Sequence, residues 1–135
     1  MFEALGGVKA IMFNLGLGLL FAHELDAIPN HEWRLLPVFR SLPDDIAMQL
    51  FILAHVPLFA ILVALIASDN PRIRGNSRIA VSVFLLIHAV LHAIFITGPE
   101  YEFSSTLSNV LIFGGGLFGA TYCALEARDR YVVAT

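Results

Sequence analysis

The chain has one cysteine, Cys123, so no internal disulfide can form and no redox compartment is legible. Cys123 itself reads as a buried packing residue. Charge is also scarce, at 14% of residues, where soluble domains carry roughly a quarter. A net charge of −3, scattered along the chain, leaves no footprint for a nucleic-acid partner. No internal repeat, low-complexity tract, nucleophile motif, phosphate loop or nucleotide fingerprint is present. No A-x-A site follows the first apolar run, which is too long for a usual signal-peptide core and has only Lys9 as a positive flank. It therefore reads as a retained segment.

What is abundant is apolar surface. Hydrophobic residues make up 58% of 135 residues, with a mean hydropathy of +0.78. A soluble chain of this size has too little interior to hide that much. Four runs carry it, at about 5–28, 46–67, 79–97 and 107–125, and the second and third hold no formal charge. Each is close to the ~20 residues that cross a ~30 Å hydrocarbon core. Helices are the open-ended way to do so, because lipid satisfies no backbone polar group. The expectation is one all-α domain over 1–135, an integral membrane four-helix bundle in the cell inner (plasma) membrane.

The breaks support these bounds. Pro29 ends the first helix, and Asn30 caps a short interfacial segment at 31–36 whose Trp33 suits the headgroup layer. Pro43-Asp44-Asp45 starts the second helix with carboxylates at its positive dipole end. Asn70-Pro71 and Gly75-Asn76-Ser77 read as a turn, with Ser77 a cap. Gly98-Pro99 ends the third helix, and Ser104 or Ser105 caps the fourth. Pro57 falls mid-helix and is expected to kink the second. Gly115 and Gly119 form a G-x-x-x-G, a small face for packing inside the bundle or for dimerisation.

Lysine and arginine set the orientation. Lys9, Arg72, Arg74, Arg78, Arg128 and Arg130 fall on one side, and Arg34 and Arg40 on the other. The bias predicts cytoplasmic termini and a cytoplasmic middle loop.

The informative residues are polar ones at membrane depth, which are costly there and functional candidates by default. His23, His55, His88 and His92 all lie inside apolar runs. At a rise of 1.5 Å per residue, His23 and His92 sit about 7 Å below the outer end, His88 about 13 Å and His55 about 15 Å. His88 and His92 are i, i+4 and His23 and Asp26 are i, i+3, so each pair shares a helix face. Such imidazole and carboxylate pairs on facing helices chelate one metal ion. The predicted ligands are therefore His23, Asp26, His88 and His92. His55 is a further candidate, and Glu24 a proton carrier or outer partner. His31-Glu32-Trp33-Arg34 reads as an interfacial anchor and ion-pair patch rather than a catalytic element. Asn109 reads as interhelical polar glue or a cap over the site.

His23-Glu24-Leu25-Asp26-Ala27, then His31-Glu32-Trp33-Arg34, then His88-x-x-x-His92, resembles uncharacterised bacterial families of small four-helix membrane proteins. It is also similar to the family named for its H-x-x-E-E motif, although Asp26-Ala27 stands where two glutamates are expected. That resemblance implies metal binding by histidine and acidic residues and no established activity. A looser likeness, in residue types only, is to seven-helix membrane hydrolases that hold zinc with Asp and H-x-x-x-H.

Three functions remain open from the sequence. A metal-dependent membrane enzyme would hold zinc or iron on His23, His88 and His92. Asp26 would then be fourth ligand, or Asp26 or Glu24 would take a proton from bound water, and a lipidic substrate would enter from the bilayer. A haem b protein would use His55 and His88 as axial ligands. A non-catalytic subunit or small carrier, in a homo- or hetero-oligomer, would use the histidines as a polar network.

Overall fold

The computed structural model describes residues 7–134, with side chains to residue 132; Leu5 and Gly6, at the start of the first run, lie outside them. Four long helices, α1 (Gly7–Ala27), α2 (Asp44–Ile66), α3 (Pro71–Phe95) and α4 (Thr106–Ala134), are joined by loops, the first of which holds a short 3-10 helix at Glu32–Arg34. No strand occurs among the described residues. All four long helices are long and apolar enough to cross a membrane.

Two helices outrun their apolar segments. α3 starts at Pro71, not at 79, because Asn70 caps it. The Asn70 side-chain oxygen accepts from the backbone N–H of Arg72 at 3.0 Å and Ile73 at 3.3 Å, and Pro71 fills the first helical position. Gly75-Asn76-Ser77, expected as a turn, is therefore helical. α4 continues past 125 because its charged end is paired. Lys9 Nζ lies 2.8 Å from both Glu126 Oε2 and Asp129 Oδ2. Arg130 Nε donates to Glu126 one turn earlier, at 3.0 Å. Ser105 is the cap of α4, accepting from Ser108 N–H at 2.9 Å.

α4 packs along both α1 and α3, whereas α2 leans mainly on α3 and the 3-10 segment. The glycines explain the close approach. A Cβ at Gly119 would stand 2.5 Å from the Ser82 carbonyl oxygen, and one at Gly116 2.6 Å from Ala89 Cβ. The G-x-x-x-G face is used inside the molecule. Apolar packing gathers at two ends. Phe13, Ile66, Val81 and Tyr122 form one cluster. Trp33, Phe51, Phe103 and Ile112, with three alanines, form the other.

Candidate metal centre

The second cluster surrounds a polar group, placed there by a sharp reversal after α1. Asn30 Nδ2 donates to the Asp26 carbonyl at 2.7 Å. His31 then takes φ 50°, ψ 42°, a left-handed conformation that costs a non-glycine residue roughly 1–2 kcal/mol. The segment that follows has two faces. Arg34 grips Asp44 through two bonds, Nε–Oδ1 at 2.9 Å and Nη2–Oδ2 at 2.8 Å, and Trp33 Nε1 donates to the same carboxylate at 2.9 Å. His31 and Arg34 also meet Glu102, at 2.9 and 3.2 Å. These ties hold the turn against α2 and the α3–α4 loop, and Glu32 is left facing inward.

Glu32 meets three imidazoles. His23 from α1, Glu32, and His88 and His92 from α3 each offer one ligand atom, and these atoms all lie within 4.8 Å of one another. Ring centroids are 4.8 Å apart for His23–His88, 5.2 Å for His23–His92 and 4.5 Å for His88–His92. His23 Nε2 is 3.3 Å from Glu32 Oε2, and His92 Nε2 is 3.9 Å from Glu32 Oε1. His23, Glu32 and His92 are 1%, 8% and 4% exposed. Burial pushes the Glu32 carboxyl up, but the imidazoles of His23 and His92 outweigh it and hold the group well below the usual carboxylate range.

The hydrogen bonding of this group is incomplete. Both ring nitrogens of His23, Nε2 of His88 and Oε2 of Glu32 are buried with no hydrogen-bond partner among the described residues. Buried polar atoms are nearly always paired, and each left alone costs about 1–3 kcal/mol. One cation would answer all four side chains. A tetrahedral shell with bonds near 2 Å sets its donors about 3.3 Å apart, so each donor here is within about 1 Å of such a position. His92 is already oriented for it. Its Nδ1 lies 3.2 Å from the Tyr101 hydroxyl, which turns Nε2 toward Glu32 and is the usual outer partner of a ligating imidazole. Phe103, fully buried, packs against His23 and His92 with ring centroids at 5.3 and 4.8 Å. A cavity of about 60 Å³ touches Glu32, His88 and His92 and is otherwise lined by Leu35, Leu36, Leu91 and Phe95.

The remaining sequence candidates lie elsewhere. Asp26 is not in the group of four; the carboxylate there is Glu32, which sequence reasoning had assigned to the interface. Asp26 keeps a buried Oδ2 without a hydrogen-bond partner among the described residues. Glu24 turns toward α2, where its Oε2 lies 2.9 Å from His55 Nε2. His55 Nδ1 donates to the Phe51 carbonyl at 2.7 Å. Both nitrogens of His55 are thus engaged, and an axial bond to haem would displace Glu24 or the carbonyl. Asn109 donates to the Ser105 carbonyl of its own helix at 2.8 Å.

The chain belongs to a family described as "Family of unknown function (DUF6713)", whose model matches residues 9–129. No curated protein and no solved structure matches it. The fold and the site thus define an all-helical protein with four potential membrane spans and a buried His/Glu group able to hold a metal ion.

Proposed function

We propose that this chain is an integral membrane metalloprotein of the plasma membrane, and that His23, His88, His92 and Glu32 bind one zinc or iron ion near the outer end of its bundle. The observation that carries the reading is the convergence of three buried side chains and the partly buried His88 from three elements, with buried ligand atoms that lack partners. Imidazole with one carboxylate suits either metal. Asp26 is proposed no longer as ligand but as a polar neighbour on α1.

The end of the molecule that carries the site holds Arg34 and Arg40. Lys9, Arg72, Arg74, Arg78, Arg128 and Arg130 belong to the opposite end, where Lys9 ties α1 to α4. The positive-inside rule then places both termini in the cytoplasm and the metal near the outer leaflet. A C-terminal reporter that works only in the cytoplasm should be active; strong activity from an exported reporter would reverse this orientation.

A metal-dependent enzyme acting on a lipidic substrate is favoured over a purely structural site by the small cavity beside Glu32. Its volume of about 60 Å³ admits about two waters at roughly 30 Å³ each. The three imidazoles and one carboxylate oxygen of Glu32 would hold the ion, the cavity would hold a water beside it, and the other Glu32 oxygen would take that water's proton. The leucines and Phe95 around the opening would admit apolar substrate from the bilayer.

Elemental analysis and an absorption spectrum of gently purified protein test the reading together. Near-stoichiometric zinc or iron without a Soret band is expected. A Soret band would instead establish haem, and a metal-free protein indifferent to chelator would leave a non-catalytic subunit or carrier.

A further inference from the structure

A second cavity, of about 260 Å³, lies between α1, α2 and α3, away from the cluster of three histidines. Its walls are Leu20 and Glu24 of α1, Leu58, Phe59 and Leu62 of α2, and Ala80, Val81 and Phe84 of α3. It exists because α2 packs only loosely on its neighbours along this stretch. Leu20 and Val81 form its buried floor, and Leu58, Ala80 and Phe84 are exposed at its rim. The opening is therefore sideways, between α2 and α3.

All of this lining is apolar except Glu24. That carboxylate uses Oε2 on His55, and its Oε1 has no hydrogen-bond partner among the described residues. Its side chain is 16% exposed, and that of His55 19%. His55 is in turn fixed by the Phe51 carbonyl and by ring contacts with Phe51 and Phe59, at centroid distances of 4.6 and 5.2 Å. A positioned acceptor at the end of an apolar cleft is the usual design of a small-molecule site: apolar walls give affinity and one polar group fixes orientation.

We propose that this cleft binds an amphiphile with an apolar body and a neutral hydroxyl head, the hydroxyl donating to Glu24. His55 already engages Oε2, so the one remaining oxygen asks for a single donor, which a neutral hydroxyl supplies. Lipid tails alone would fill the walls but bring no donor to Oε1 and would cover a polar atom with hydrocarbon. The volume, slightly below that of a drug-sized pocket, suits one chain or one ring. This site goes beyond the metal reading and does not depend on it.

The test uses the full chain in nanodiscs with a photoactivatable twelve-carbon alcohol as probe. Crosslinks should concentrate on α2 around Leu58 and Leu62 and on α3 around Ala80 and Phe84. Unlabelled dodecanol should compete, and dodecane should compete about tenfold less well, the worth of a hydrogen bond to a charged group. Glu24→Leu should weaken labelling by about the same factor. Because that change also removes the partner of His55, Ala80→Phe is the second variant. Position 80 is exposed at the rim, so the larger ring is admitted and fills the cleft. Labelling should be lost while metal content stays at the wild-type value. A labelled hydrophobic phenol competing better than dodecanol would specify a ring as the apolar body and support the site. Even labelling along the lipid-facing sides of α2 and α3, equal competition by dodecane, or no effect of either variant would overturn it.

Discussion

Glu24 and Glu32 flank the same reversal at the end of α1, and each meets imidazole inside the protein, yet their surroundings differ in kind. Glu24 has one histidine, His55, at 2.9 Å, and that histidine is held by a backbone carbonyl. Both nitrogens of His55 are engaged, and only Oε1 of Glu24 stays open. Glu32 has three histidines around it, with its nearest imidazole nitrogen at 3.3 Å, and four of the buried ligand-type atoms there have no hydrogen-bond partner among the described residues. A buried acid–imidazole pair is a stable arrangement by itself. Three imidazoles and a carboxylate with open valences are not, unless something sits between them. The contrast separates a polar contact between α1 and α2 from a group that could hold a cation.

The sharpest way to break this contrast is His92→Ala. If the Glu32 group holds metal, losing one ligand should reduce affinity by more than the 10–100-fold typical of losing an outer partner. Metal per chain should drop from near one to background, and the melting temperature should become insensitive to chelator. Were His92 only a packing residue, alanine would cost about 1–3 kcal/mol and leave chelator sensitivity unchanged.

Glu32→Leu sharpens the same contrast by its response to chelator. In a metal-free polar knot, the change strands the imidazoles of His23 and His92 and should cost about 1–3 kcal/mol, the same with or without chelator. In a metal centre it also removes a ligand and the stabilisation that a bound ion confers on the folded state. A lower melting temperature, with the gap to wild type narrowing when both are stripped by chelator, is the expected result. A gap that chelator leaves unchanged would remove the case for metal.

Tyr101→Phe should have a smaller effect. It keeps the ring beside His92 and Phe103, at centroid distances of 5.7 and 5.6 Å, and deletes only the hydroxyl on His92 Nδ1. Metal affinity should fall about tenfold with the fold intact. Competition against a chelator of known affinity reads this directly; unchanged affinity would mean that His92 is oriented by packing alone.

The sequence made the helices legible and hid one member of the cluster, for a physical reason. Apolar length and the proline breaks mark four spans because the cost of unpaired backbone in lipid leaves few alternatives. The i, i+4 spacing of His88 and His92 survives in the structure because helix geometry fixes it locally. Asp26 drew attention by the same rule, being i+3 from His23. Glu32 obeys no such rule. It reaches the cluster through a left-handed residue at His31 and a clamp between Arg34 and Asp44, and neither is a periodicity. His31-Glu32-Trp33-Arg34 was half legible as an ion-pair patch, since His31 and Arg34 do pair with acids. That its middle carboxylate turns inward depends on tertiary contacts. The start of α3 was written in Asn70-Pro71, a cap and first-turn pair, but the adjoining Gly75-Asn76-Ser77 competes as a turn signal and loses to the capped helix.

The smallest effect on metal should come from the other pair. Glu24→Leu alone strands a half-buried imidazole, and His55→Leu alone strands a carboxylate, so each should destabilise by about 1–3 kcal/mol. The double mutant leaves neither group unpaired and puts two apolar side chains at the α1–α2 contact, so most of that loss should return. Metal per chain should stay at the wild-type value throughout, because His55 contributes no atom to the group of four. The comparison is a double-mutant cycle with two readouts: the coupling energy from melting or denaturant curves, and metal content from the same samples. Strong coupling with constant metal keeps the two glutamates in separate roles. A parallel fall in metal in either single mutant would make Glu24 and His55 outer members of one extended centre, and the distinction between the single pair and the three-histidine group would fail.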